Sequence, residues 1–314
     1  MDKMNKMDKK ILIAIDGSAY SSNSLDYLIR LFKNNESLSV HLLSIISSAA
    51  GDQSWMFDVD PLRQHSPATE RRRSTAEKYL KDARARLVRN GFNENNITFR
   101  AEITSASIAT AIHAEANRGT YDGLLIGRRG IGKVGEMFFG SVSSYLVEKC
   151  HAVPLWIIDG AITSAHFLLA VQTKPHSLMA ADYLGYIIKN EPGSKILLYH
   201  SSVLFGGKAK TKVEDFHDPW GKDWCDQHID LDTRLYHAHT QILLDNGIEA
   251  ERIHALPTRT DLEASRDLLR QARKHQCGTI VIGRRPRSED KGIFGGVSDR
   301  ALQQAEDIAL WLVG

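Results

Sequence analysis

Apolar residues recur along this chain with two alternating periods, one of strands and one of helices. Lys10 to Asp16 is a short, partly β-branched apolar run and predicts a buried strand. Gly17-Ser18 then turns into a stretch where Leu25, Leu28, Ile29 and Phe32 fall at i, i+3, i+4 and i+7, one helix face. Val40 to Ile46 predicts a second strand, and residues 47–68 a long polar connection holding Trp55, Met56 and Phe57. A second helix is expected from about Thr69 to Asn90, with Ala76, Tyr79, Leu80, Ala83 and Leu87 on one face. Asn90-Gly91 ends it. Ile97 to Ile103 follows as a strand, Ala106 to Asn117 as a helix and Gly123 to Gly127 as a fourth strand. A fourth helix starts at Ser141 and a fifth strand covers Val153 to Ile158. Strands and helices alternating through short links predict a parallel sheet with helices on both faces. Ligands bind such sheets beyond the carboxyl ends of the strands, where Asp16, Ile45 and Gly127 are expected.

The pattern then repeats. Ala14 answers to Ala170, an offset of 170 − 14 = 156, and Tyr27-Leu28, Asn90-Gly91 and Ile126-Gly127-Arg128-Arg129 recur at the same offset. Phe139-Gly140-x-Val142-Ser143 and Leu155-Trp156 recur at 155, so the second copy has lost one residue in between. A near-constant offset over this much chain indicates two copies of one fold. The expected class is α/β: two tandem, doubly wound, parallel five-stranded sheets with helices on both faces. The first domain is expected at residues 1–160 and the second at 165–314, joined near Ala161 to Ser164. Within the second, residues 202–232 read as an insertion rich in His, Trp, Asp and Lys.

The chemistry concentrates after the fourth strand. Gly127-x2-Gly130-x9-Gly140-Ser141 places a loop of glycines and cations between a strand and a helix start. Glycines let backbone approach a ligand, and the free N–H groups of a helix start favour anions. A Walker A reading fails because Val134 lacks the hydroxyl needed after Lys133, and a dinucleotide fingerprint fails on placement. Backbone N–H groups of Gly130, Gly140, Ser141 and Val142 form the candidate phosphate cradle, with the Ser141 and Ser143 hydroxyls and the Arg129 and Lys133 charges beside it. Asp16 is a candidate acceptor for a base amine or ribose hydroxyl, or alternatively an Asx cap on its own turn. Ser141 can equally be a plain helix cap.

The loop resembles the ATP-binding loop of the universal stress protein family, G-x2-G-x9-G-S/T, in every fixed position. The resemblance covers nearly the whole chain, twice. It implies ATP with Mg²⁺ as cofactors, and an acid at the position of Asp16, with Ala14 beside it, against the nucleoside. It also implies backbone of Ile45 and the side chain of Ile126 near the base. Members of the family pair through their last strands, which implies internal pairing of Leu155-Trp156-Ile157-Ile158 with Leu310-Trp311-Leu312-Val313 as an intramolecular pseudo-dimer.

The second copy departs from that loop. Gln172 stands for the acid, Pro286 for the second glycine, and Gly296 for the serine, while Glu289 and Asp290 add negative charge. Each change weakens a triphosphate site, so the second copy is expected to bind ATP poorly or not at all. His200, His217, Cys225, His228, His237 and His239, with nearby acids, contain the residue types of a zinc site but no tight ligand spacing. Arg71-Arg72-Arg73 reads as a solvated helix face with no aromatic platform for nucleic acid.

Composition narrows the rest. At 314 residues the chain holds two domains of ordinary size, and its net charge of +2 gives no bulk attraction to nucleic acid or membranes. Three scattered cysteines argue against a disulfide framework. The polar Met1 to Lys10 has no apolar core of a secretion signal, and no run reaches the ~20 residues of a membrane helix. A cytoplasmic stress-response regulator that binds an adenine nucleotide is therefore expected, with at most slow ATPase activity, no catalytic residue assigned, and a homodimer as one further assembly. The alternative is a scaffold whose second domain binds another ligand or partner.

Overall fold

The computed structural model describes residues 9–33, 35, 37–48, 66–128, 140–203, 211–230, 235–285 and 297–314. The chain divides into two compact units, Met1–Asp159 and Gly160–Gly314.

In the first unit the elements are β1 (Lys10–Ala14), α1 (Ala19–Leu31), β2 (Ser39–Ser47), α2 (Pro67–Arg89), β3 (Ile97–Thr104), α3 (Ile108–Arg118), β4 (Gly123–Gly127), α4 (Ser141–Lys149) and β5 (Leu155–Ile158). The sheet order is β3-β2-β1-β4-β5, and every neighbouring pair is parallel. The order of connection reverses between β1 and β4, which makes their carboxyl ends the switch point where open sheets bind ligands. Leu124, Leu125 and Ile126 of β4 and all four residues of β5 are buried, which requires cover on both faces. Two helix pairs supply it: α1 packs with α2, and α3 with α4. Ser18, Ser66 and Ser107 cap α1, α2 and α3, each accepting a hydrogen bond from a first-turn N–H. Gly91, at φ 90°, closes α2 in a Schellman turn, with Phe92 N–H donating to the Leu87 carbonyl at 3.3 Å. The predicted strand and helix limits differ from these by two residues at most. The polar connection with Trp55, Met56 and Phe57 lies outside the described residues.

One buried charge ties the edge of this unit together. Glu115 of α3 is 7% exposed and accepts hydrogen bonds from Arg100 of β3 at 2.5 Å, from the Tyr121 hydroxyl at 2.8 Å, and from Arg118. Burial alone would raise its carboxyl pKa; the bonds from Arg118, Tyr121 and Arg100 outweigh that and hold it at about 2, below the ordinary 4.5.

The second unit contains β6 (Phe167–Ala170), α5 (Pro175–Ile188), β7 (Ile196–Tyr199), β8 (Ser201–Val203), α6 (His217–Trp220), α7 (Lys222–His228), α8 (His237–Asp245), β9 (Ile253–Ala255), β10 (Arg259–Asp261), α9 (Ala264–Lys274), β11 (Thr279–Gly283), α10 (Val297–Gln304) and β12 (Ala309–Val313). Its main sheet runs β9-β7-β6-β11-β12, all parallel, the same path as in the first unit. Again the helices pair, α5 with α8 and α9 with α10. A short parallel ribbon of β8 and β10 is an addition that the hydrophobic pattern does not announce. Asp267 of α9 holds it, accepting from Ser201 at 2.6 Å and from Tyr199 at 2.5 Å, while Arg270 joins Asp267 to Asp261 of β10.

Among its described residues, the segment expected as an insertion at 202–232 holds the end of β8, α6 and α7. Tyr27 and Tyr183, then Asn90 and Asn246, share one offset of 156, so the segments between them have equal length in sequence. Residues 223–245 are the counterpart of α2, and they form α7 and α8 with an interruption between. In sequence, Ile229-Asp230-Leu231-Asp232-Thr233 align with Arg73-Ser74-Thr75-Ala76-Glu77 at that offset.

Glu115→Gln removes a buried charge with three donors and is expected to lower stability by about 2–3 kcal/mol at pH 7, read from denaturant melts. Because the folded carboxyl pKa is depressed, wild type keeps this contribution above pH 4.5 and loses it as pH falls toward 2. The two proteins should therefore converge in stability over that window, and a difference unchanged at pH 2 would refute the assignment.

Candidate functional site

The carboxyl ends of β1, β2 and β4 carry Ala14, Asp16, Ile45, Ile126 and Gly127 among the predicted residues. Asp16 lies just beyond β1, exposed, and its Oδ1 accepts a hydrogen bond from Ser18 N–H at 2.9 Å. That is the Asx turn, formed while the carboxylate stays open to solvent. Gly17 follows at φ 78°, a conformation other residues rarely adopt, and a Cβ there would sit 2.3 Å from the Tyr79 ring. Ala14, half-buried, ends β1 opposite Leu43. Ile45 lies two residues beyond that last β1 pairing and is half-buried. Ile126 is buried at the end of β4.

Gly127 has a packing reason to be glycine. A Cβ on it would come within 3.1 Å of the Tyr20 backbone in the first turn of α1. The end of β4 and the start of α1 thus meet backbone to backbone. Ser143 fastens the next element to them. It is 2% exposed, and its hydroxyl donates to the carbonyls of Gly127 at 3.2 Å and Arg128 at 3.0 Å. The Ser143 hydroxyl, with its single proton shared between these carbonyls, fastens α4 to the end of β4.

The start of α4 is left open by that arrangement. Its N-cap is Gly140, which makes no side-chain cap, and its first turn holds no acid. Ser141 is exposed at the first helical position and Val142 is half-buried. Ser141 therefore does not cap the helix; Gly140 occupies that place. The first-turn N–H groups and the positive end of the macrodipole favour an anion here. Beside it Arg128 is buried and pairs with Asp159 at 3.3 Å, a bond that no sequence spacing indicated. Arg129, Gly130, Lys133 and Glu136 lie outside the described residues.

The equivalent rim of the second unit has different chemistry. Gln172 N–H donates to Ser177 Oγ at 2.8 Å, and its Oε1 lies 3.3 Å from His176 Nε2. Ser177 Oγ also meets His239 Nε2 at 2.9 Å. Burial lowers both His176 and His239 to about 4, so each is neutral at pH 7. Gly283 repeats the tight approach of Gly127: a Cβ would lie 2.0 Å from the His176 carbonyl. Thr173 and Leu235 stand where the first unit has Gly17 and Tyr79. Pro286, Glu289, Asp290 and Gly296 are outside the described residues. Of the histidines, His237 stacks beside His228 at 5.6 Å while His239 is buried on Ser177. Among the described residues no three His, Cys, Asp or Glu side chains gather as a metal-binding set. The three cysteines are buried free thiols, and no helix among the described residues is long and apolar enough to cross a membrane.

Tyr79 is the residue that the sequence reading missed. Helical periodicity placed it on the core face of α2, yet it is 42% exposed and lies over Gly17 at the rim. A glycine in a positive-φ turn, with an aromatic ring on the next packed helix, is the signal that would have found it.

Comparison with known proteins agrees with the fold. A universal stress protein from Archaeoglobus fulgidus is similar over 98% of this chain and 96% of its own, at 16% identity and a TM-score of 0.62. A functionally unknown protein from Pseudomonas aeruginosa PAO1 is similar over 98% of this chain and 92% of its own, at 13% identity and a TM-score of 0.56. No curated protein matches the chain. The model of the universal stress protein family matches residues 7–159. That match falls on the first unit, whose α4 start, Asp16 turn and β2 end lie at the carboxyl-end side of the same sheet.

Proposed function

We propose that the first unit binds an adenine nucleotide, ATP in the first instance, and that the chain is a stress-response regulator with little or no catalysis. The observation that carries this reading is the uncapped start of α4 at Gly140, fastened by Ser143 to the end of β4. It is an anion seat built at the sheet's switch point. The residues present suit the group: N–H groups of Gly140, Ser141 and Val142 and the Ser141 hydroxyl for phosphates, and the exposed Asp16 carboxylate for the nucleoside. Arg129 and Gly130 complete the set by sequence. Ile45 and Ile126 supply apolar and backbone surface for the base. Mg²⁺ would be held chiefly through the phosphates, with the Ser141 hydroxyl as the nearest protein ligand.

We read the second unit as a duplicate domain whose seat no longer takes a triphosphate. Gln172 is engaged with its own helix, the neighbouring histidines are neutral, and Pro286 removes a backbone donor. Catalysis would need a group that positions water at the terminal phosphate. Turnover is therefore expected to be slow or absent, and phosphate release clearly above a Gly140→Asp control would replace this reading with that of an ATPase.

Calorimetric titration should find one ATP site per chain; two sites would disprove the account of the second unit. Gly130→Pro copies the second unit's change into the first and should weaken ATP at least roughly tenfold. The two serines should separate cleanly. Ser141→Ala is expected to weaken ATP with little change in melting temperature. Ser143→Ala should cost about 1 kcal/mol of stability through loss of its one buried hydroxyl proton, shared between two carbonyls. Equal effects of both on binding alone would show that the roles are misassigned.

A further inference from the structure

The two copies of the α2 segment carry opposite charge. Pro67–Arg89 has eight Lys and Arg against three Asp and Glu, net +5. Its counterpart, residues 223–245, has one Arg against five Asp, net −4. A chain of net charge +2 thus concentrates both signs at equivalent places.

Each segment presents an unusual surface. In α2 the positions Glu70 to Thr75 are all exposed, six in succession, so this part of the helix has no buried face. Arg71, Arg72 and Arg73 fan around it at about 100° per residue. On the acidic side, aromatic rings stand in file. Phe216 lies 6.2 Å from Trp220, Trp220 6.3 Å from Trp224, Trp224 5.0 Å from His228, and His228 5.6 Å from His237, centroid to centroid. Phe216 is buried and anchors the file, whereas both tryptophans are half-buried and keep part of their surface open. Exposed Glu214, Asp215, Asp218, Asp223 and Asp226 surround them.

Arginine is the side chain that satisfies both features at once. Its guanidinium stacks on indole faces and pairs with carboxylates, and Trp and Arg are both enriched among the residues that dominate interface energetics. We propose that the Arg71-Arg72-Arg73 turn of one chain docks on the acidic Trp220–Trp224 face of a second copy. The contact is head-to-tail: a basic helix of the first unit meets the broken acidic counterpart of the second unit in another molecule. It is independent of nucleotide binding and uses neither sheet rim.

Charge exchange tests it. Sedimentation velocity on wild type should show self-association that weakens at least roughly tenfold between 50 mM and 500 mM salt. Arg71→Glu/Arg72→Glu/Arg73→Glu and Asp218→Lys/Asp223→Lys/Asp226→Lys should each be monomeric alone. Mixed in equal amounts, they should associate again, because each offers the other one complementary pair of surfaces. Should either triple variant fail to fold by circular dichroism, Arg71→Glu and Asp223→Lys serve in the same scheme with a smaller shift. Wild type that stays monomeric at all salt concentrations, association indifferent to either reversal, or variants that do not associate on mixing would each overturn the proposal.

Discussion

The structure turns on a distance that leaves no room for a side chain. Where β4 ends, Gly127 meets the first turn of α1 so closely that a Cβ would press on the Tyr20 backbone. Ser143 then hangs α4 from the carbonyls at the same strand end, so the position of the α4 start follows from helix-on-strand packing. Remove the close approach, and both the Asp16 turn and the α4 start lose their common reference.

The second unit keeps one part of that arrangement and changes others. Gly283 keeps the close approach, tighter still, against the His176 carbonyl. The packing glycine persists where the acid, the second loop glycine and the serine have all changed. Gly17 and Tyr79 have changed together, to Thr173 and Leu235, as a contacting pair would when the turn beneath no longer needs positive φ. In this unit the residues that align with α2, 223–245, carry five Asp and Trp224.

Much of this was legible along the chain. The 156-residue repeat, the strand and helix alternation and the glycine spacing are one-dimensional patterns, and they located Asp16, Gly127, Gly140 and Ser141 at the ends of elements. Hidden from that reading were the facts that depend on what faces what. Tyr79 fits a helical stripe as well as any core residue, and only the turn at Gly17 gives it another neighbour. Ser143 and Ser141 look alike in a motif two residues long, yet a helix turns 200° between them, so one is buried on carbonyls and the other is open.

Sequence alone determined the α/β class and the order of strands and helices, because periodicity and spacing are properties of the chain itself. Tertiary structure decided which glycine serves packing, which serine is a fastener, and which acid is buried and held ionised. Those outcomes depend on distances between residues far apart in the chain, such as Glu115 to Arg100 or Gly127 to Tyr20. No pattern of neighbours in sequence encodes such a distance until the sheet has assembled.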